Sequence, residues 1–272
     1  MSNLAMVGLA GVFYMLQVCS LNAEEVSISS DTPAKVRIEN NTIFYRGDVS
    51  QASWKAFKYA IANGAITDVR KIVINSGGGD TQYGRKLGSW VFEQNLIVEV
   101  EGGCFSSCAN YVFPAGRKKV IRQGAFVGWH GSEAQWRIMG EDPISKSMEA
   151  KMKERLRSQN VLSRPELAGT EELKKLVEHG WRLSIDGLKK SLDDEDRFFE
   201  KLGLENTFTI YGDLPEHRKN FENSGKKGWT FSLEDMEQFG ITNVQYLGSK
   251  TYETEPNVLK NMIVFTLKQE LQ

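Results

Sequence analysis

Val69-Arg70-Lys71-Ile72-Val73-Ile74-Asn75-Ser76-Gly77-Gly78-Gly79-Asp80 is the segment on which the reading of the fold turns. Val69 to Ile74 is rich in β-branched residues and ends in the apolar Ile72-Val73-Ile74, the pattern of a buried strand. It runs into a glycine-rich turn, and a helix follows through Leu87, Trp90 and Val91. Glycine lets backbone approach a ligand and take positive φ. Amides in such a turn, next to a helix N-terminus, point at an anion. The turn is therefore either a phosphate cradle or half of an oxyanion hole. No Gly-Lys-Ser/Thr follows it and no G-x-G-x-x-G spacing is present, which sets aside a P-loop and a dinucleotide fingerprint.

The same alternation extends outward. Thr42 to Arg46 is a β-rich run ended by Gly47. Ser53 to Ala62 places Trp54, Phe57 and Ile61 at helical spacing and ends at Asn63-Gly64. Leu96 to Val100, Val120-Ile121 and Ala125 to Trp129 read as strands, and Ala109 to Phe113 is an apolar stretch between them. Strands alternating with helices predict an α/β domain with mostly parallel pairing. After His130 the pattern becomes helical: Ser145 to Gln159 with Met148, Met152 and Leu156 on one stripe, Thr170 to Glu178 stopping near Gly180, and Asp193 to Leu202. Ser232 caps a short helix that stops at Gly240. The predicted organisation is a linker at 24–35 and a domain at 36–250 with a helical insertion at about 135–225. A C-terminal extension at 251–272 holds one strand or helix, Met262 to Leu267.

The 272 residues are 40% hydrophobic and 25% charged, which excludes a largely disordered chain and a multi-span membrane protein. With 34 basic and 35 acidic residues the net charge is −1, so nothing in the bulk electrostatics calls for nucleic acid. Two charge runs, Arg117 to Arg122 and Asp193 to Asp196, read as a solvated strand edge and a helix start favoured by its dipole.

Leu4 to Leu16 is uncharged and mostly apolar, too short to span a bilayer but suited to the core of an export signal cut after Ala23. Leu16-Gln17-Val18-Cys19 also reads as a degenerate lipoprotein site, and an uncleaved N-terminal anchor stays open. A periplasmic or secreted location is expected. Cleavage leaves Cys104 and Cys108, whose spacing suits a disulfide; two packed thiols are the other reading. No further Cys/His pair has metal-ligand spacing.

Ser106-Ser107 stands after a strand and before an apolar stretch, where serine commonly caps a helix. His130 ends a strand and is followed by Gly131. A serine hydroxyl becomes a nucleophile only beside a base, so the two positions gain meaning together.

In this order, Ile74-Asn75-Ser76-Gly77-Gly78-Gly79, Cys104 to Gly116 and Ala125 to Gly131 resemble the Clp protease proteolytic subunit and the wider ClpP/crotonase superfamily. Ile43 to Val49 is similar to the family's first strand and turn, and Trp229 to Val244 to its late helix-and-turn segment. The likeness covers about 36–135 and 228–245. It closely resembles an exported branch in which cysteines flank the serine. The resemblance implies a ClpP/crotonase-like fold with a parallel-rich sheet, surrounding helices, a helical insertion and a C-terminal extension. The family's nucleophile precedes a glycine by nine residues, and Ser107 to Gly116 has that spacing. Ser107 is accordingly expected as nucleophile and His130 as general base. The amides of Cys108 and Gly78, with Gly79 as alternative, are the expected oxyanion donors. A Cys104–Cys108 bridge would brace the turn. The implied substrate is a peptide or protein, with no cofactor and a homo-oligomer left open.

The chain departs from that pattern twice. Gly77 replaces the family's proline, and the place of the family's aspartate falls on Gly228, beside Lys226 and Lys227. Asp213, Glu216 and Asp186 are the alternative acids. The missing aspartate keeps a second expectation in play, a catalytically degenerate binding or assembly protein with the same fold. A crotonase-type acyl-CoA enzyme is the third, and export argues against it.

Overall fold

The computed structural model describes residues 32–64, 68–139 and 171–267, without the side chains of residues 139 and 171–184. The N-terminal apolar run, Cys19 and the 145–159 helix lie outside the described residues. Contacts divide the chain into two units, Met1–Val26 with Met139–Leu192, and Ser27–Ile138 with Asp193–Gln272. Among the described residues no helix is long and apolar enough to cross a membrane.

The second unit is an α/β structure. Strand β1 (Lys35–Glu39) turns through Asn40 and Asn41, both at positive φ, into β2 (Thr42–Arg46). Helix α1 (Gln51–Asn63) starts where the Ser50 side chain accepts from the Ser53 amide, supplying one of the acceptors a helix start lacks. Then come β3 (Lys71–Ser76), α2 (Thr81–Glu93) capped by Asp80, and β4 (Ile97–Phe105). A five-residue π-helix (Cys108–Val112) precedes β5 (Lys118–Ile121) and β6 (Phe126–Gly128). After α3 (Gln135–Met139), helix α4 runs from Glu171 to Leu202, and α5 (Pro215–Ser224), β7 (Gly228–Phe231) and α6 (Leu233–Gln238) come next. The chain continues through β8 (Val244–Tyr246) and α7 (Pro256–Asn261) to β9 (Met262–Phe265).

Described strands form a sheet in the order β1-β2-β3-β4-β5-β8, with β6 also on β4. All its pairs are parallel except β1–β2. β7 and β9 form a separate parallel pair. The largely parallel α/β expectation therefore holds. Ile72, Ile74, Val98, Val100 and Ile121 are fully buried with Tyr111, Trp129 and Trp229 in one core.

One irregularity steers the chain toward the site. Ile74 faces Val100, but Ser76 faces Cys104, so β4 carries two extra residues at this point. The Asn75 side chain bridges the bulge by accepting the Gly103 amide at 3.0 Å. A bulge bends a strand and re-aims the residues beyond it. Below it β4 pairs with β5; past it Gly103–Phe105 pair with β6 instead. Phe105 and Gly128 thus end side by side, one residue before Ser106 and two before His130.

Two helix assignments change. The predicted helices at 170–178 and 193–202 belong to one helix, α4, that continues through Gly180 and Gly187. A glycine costs a helix interior only about 1 kcal/mol, which a long amphipathic segment overrides. Asp193 to Asp196 is therefore no helix start. Glu195 is fully buried in the interior of α4.

Candidate active site

The chain leaves β4 through Ser106 at φ 57°, a left-handed conformation uncommon for serine. Its amide donates to the Gly128 carbonyl at 3.1 Å, and its carbonyl accepts the Asn110 amide at 2.8 Å. Cys104 and Cys108 are joined in a disulfide with Cα atoms 5.2 Å apart, so the bridge straddles Ser106. The left-handed residue is held by strand pairing on one side, the π-helix on the other and a covalent link across both. Single π turns within helices recur at functional sites.

His130 is brought to this elbow by β6. Its Nε2 lies 2.8 Å from the Ser106 Oγ. The ring stacks on Phe105, with centroids 4.9 Å apart and planes inclined by 19°. Desolvation by the surrounding protein holds the imidazole below its ordinary pKa, against a smaller upward pull from its own backbone. At neutral pH the ring is therefore unprotonated, the form that accepts a proton.

The expected nucleophile, Ser107, does not meet His130. Its residue is 1% exposed, and its hydroxyl donates to the Gly79 carbonyl at 2.7 Å. Spacing to Gly116 favoured Ser107. The left-handed turn at position 106 points the preceding hydroxyl at the base and folds the next one against the glycine turn.

That turn packs on the elbow. Gly78 has φ 92°, and a β-carbon there would lie 2.5 Å from the Phe105 carbonyl oxygen and 2.6 Å from the Ser106 Cβ. The Gly78 amide donates to the Ser76 Oγ at 3.2 Å. Gly79 bridges Val49 through its neighbours: the Gly78 carbonyl accepts from Val49, and the Asp80 amide donates to the Val49 carbonyl. The Gly79 carbonyl in turn accepts from the Ser107 hydroxyl. Cys108, the other expected amide donor, is fully buried as the first residue of the π-helix.

The three alternative acids fare differently. Asp213 Oδ2 lies 3.3 Å from where a β-carbon of Gly131 would stand, which puts the carboxyl beside the residue that follows the base. That oxygen is buried without a hydrogen-bond partner among the described residues. Desolvation, opposed by Arg218 and reinforced by Glu222, pushes Asp213 up to about 6. Glu216 is exposed in the first turn of α5, and Asp186 is exposed on α4 within the other unit. Among the described residues, no carboxylate is hydrogen-bonded to His130, so no Ser-His-Asp triad is formed.

Buried polar groups that sequence reasoning missed fasten the loop behind His130. The Gly131 carbonyl accepts from the Asn110 side-chain amide at 2.9 Å. Glu195 accepts from the Tyr111 hydroxyl and the Ala134 amide, each at 2.8 Å, and from Ser132 at 3.3 Å. Thr81, in the first turn of α2, donates to Glu133 at 2.6 Å. Desolvation raises the Glu195 pKa. An acidic run looks solvated in sequence, and only the continuity of α4 places its third member inside. The basic run differs as well: Lys119 is buried and donates to the Thr242 carbonyl at 3.0 Å, and Arg122 Nε reaches Glu99 at 2.6 Å.

No family model and no curated protein matches this chain. Solved structures do. A membrane-bound stomatin-specific protease, 1510-N, is matched at 12% identity with a TM-score of 0.29, over 42% of this chain and 60% of that one. ClpP1 from Listeria monocytogenes is matched at 14% identity and 0.31, over 43% and 71%. Methylmalonyl CoA decarboxylase is matched at 10% identity and 0.31, over 74% and 98%.

Proposed function

We propose that this chain is an exported serine hydrolase of peptide or protein substrates, acting through an acyl-enzyme at Ser106 with His130 as general base. The observation that carries the reading is the 2.8 Å approach of Ser106 Oγ to His130 Nε2, made from a left-handed serine. Strained backbone of this kind clusters at active sites. The Ser106 proton passes to Nε2 as Oγ attacks the substrate carbonyl carbon. His130 then returns the proton to the leaving group, and water attacks the ester by the same route. With the nucleophile at 106, the oxyanion donor moves back one residue from Cys108 to the Ser107 amide, with the Gly79 amide opposite. A buried disulfide around the serine supports an oxidising compartment.

A second reading, a non-catalytic binding or assembly protein, is favoured by one observation: no described carboxylate is bonded to His130. In the triads of serine hydrolases that bond orients the imidazole and stabilises its cation. Incubation with a fluorophosphonate probe separates the two. The hydrolase reading expects labelling of the wild type and of Ser107→Ala, and none of Ser106→Ala. A folded wild-type protein that takes up no probe supports the binding reading.

A further inference from the structure

Asn110 bonds to Ser106 and to the residue after His130 through different atoms. Its backbone amide donates to the Ser106 carbonyl at 2.8 Å, and its side-chain Nδ2 donates to the Gly131 carbonyl at 2.9 Å. The side chain's orientation is fixed by chemistry, because a carbonyl acceptor requires the NH2 end. Asn110 is 1% exposed, and its Oδ1 is buried with no partner among the described residues. Leaving a buried acceptor unmade is unfavourable. An aliphatic residue would avoid that cost at this position but could not hold Gly131.

We infer that Asn110 is a positioning residue which sets the distance between Ser106 and His130 by tying the carbonyl of the first to the carbonyl after the second. The inference rests on the hydrolase reading of that pair. The π-helix gives the tie its geometry. Asn110 lies on the same short turn that receives the Ser106 carbonyl, so a displacement of the His130 loop is resisted from the nucleophile's own peptide. Gly131 at φ 126° has no side chain to brace it, and the Asp213 oxygen beside it makes no bond. The Asn110 amide is thus the side-chain hydrogen bond seen at the Gly131 carbonyl.

The test is the reaction of the full chain with a fluorophosphonate probe, resolved into a maximal rate and a half-saturating concentration. Asn110→Ala and the near-isosteric Asn110→Asp, which removes the donor, are expected to lower the maximal rate about 10- to 100-fold with half-saturation nearly unchanged, since misplacement by about 1 Å costs that order. Ser232→Ala is the control away from the site. It removes the side-chain cap at the start of α6 and is expected to lower the melting temperature while keeping the rate per folded molecule. Both Asn110 variants folding and reacting at the wild-type rate would overturn the inference, as would failure of both to fold, which assigns Asn110 to structure alone. Absent wild-type labelling, or labelling that survives Ser106→Ala, overturns the hydrolase reading first and removes this one with it.

Discussion

Gly78 stands with its bare Cα against Ser106: a β-carbon on the glycine would come within 2.6 Å of the serine's Cβ and 2.8 Å of the next nitrogen. The contact locks the glycine turn to the elbow, and no L side chain fits between them. Gly78→Ala combines a left-handed alanine, about 1–2 kcal/mol, with overpacking of about 1–3 kcal/mol. Gly124, at φ 77° with nothing within 4 Å, isolates the first contribution. Thermal unfolding of the two alanine variants is expected to show a clearly larger loss at 78, together with lost probe labelling. Equal losses would mean that the turn does not press on the serine.

The disulfide is expected to protect both the elbow and the fold. Cys104 and Cys108 are bonded to each other and carry no free thiol, so alkylation of the native chain without reductant leaves them unmodified, and reduction in denaturant exposes both. Removing a native bridge from a small secreted domain costs about 2–5 kcal/mol, and a four-residue separation puts this one toward the lower end. Cys104→Ser with Cys108→Ser is expected to slow labelling at Ser106 more than it lowers stability, because the bond spans the left-handed residue. A double variant that labels at the wild-type rate would show that strand and π-helix suffice.

The depressed pKa of His130 fixes the direction of the pH profile. A base works in its neutral form. Its folded midpoint lies below the ordinary 6.5, so the rate reaches half of its plateau at a pH below 6.5 and falls further under more acid conditions. Probe labelling rate against pH measures this. A midpoint above 6.5 would place a negative charge at the imidazole, and hence a third catalytic member.

Asp213 provides the complementary test. Its folded pKa, about 6, lies above its ordinary 3.8. A raised carboxyl adds stability in full below the unfolded value and loses it as pH rises through the folded one. Asp213→Asn is therefore expected to raise the melting temperature relative to wild type at pH 7 and not at pH 4, and to leave labelling within about threefold. Where an aspartate does orient a catalytic histidine, replacing it by asparagine costs about 10⁴ in rate. A loss of that order would make Asp213 the acid and refute the two-residue site.

The sequence made the scaffold legible where periodicity and turn chemistry are local. Val69 to Ile74 announced a buried strand, the 53–62 spacing a helix, and His130 follows its strand, two residues past the end of β6. What stayed hidden depended on geometry between elements. Nothing in the pair Ser106-Ser107 says which takes positive φ. That is decided by the two-residue bulge at Glu101 to Gly103, which shifts the end of β4 onto β6. One signal was available: Ser106 lies midway between two cysteines able to bridge. Glu195 looked solvated because three acidic neighbours surround it, and β8 was too short for its pattern to stand out.

The claim that Ser106 and not Ser107 carries the reactive hydroxyl is tested most directly by locating the adduct. Wild-type protein is treated with the fluorophosphonate, digested after reduction and alkylation, and the peptide spanning Cys104 to Cys108 is sequenced by fragmentation mass spectrometry. The account predicts the added mass on the fragment that includes Ser106 and stops short of Ser107. An adduct on Ser107, whose hydroxyl is bonded to the Gly79 carbonyl, or no adduct on this peptide, would contradict it.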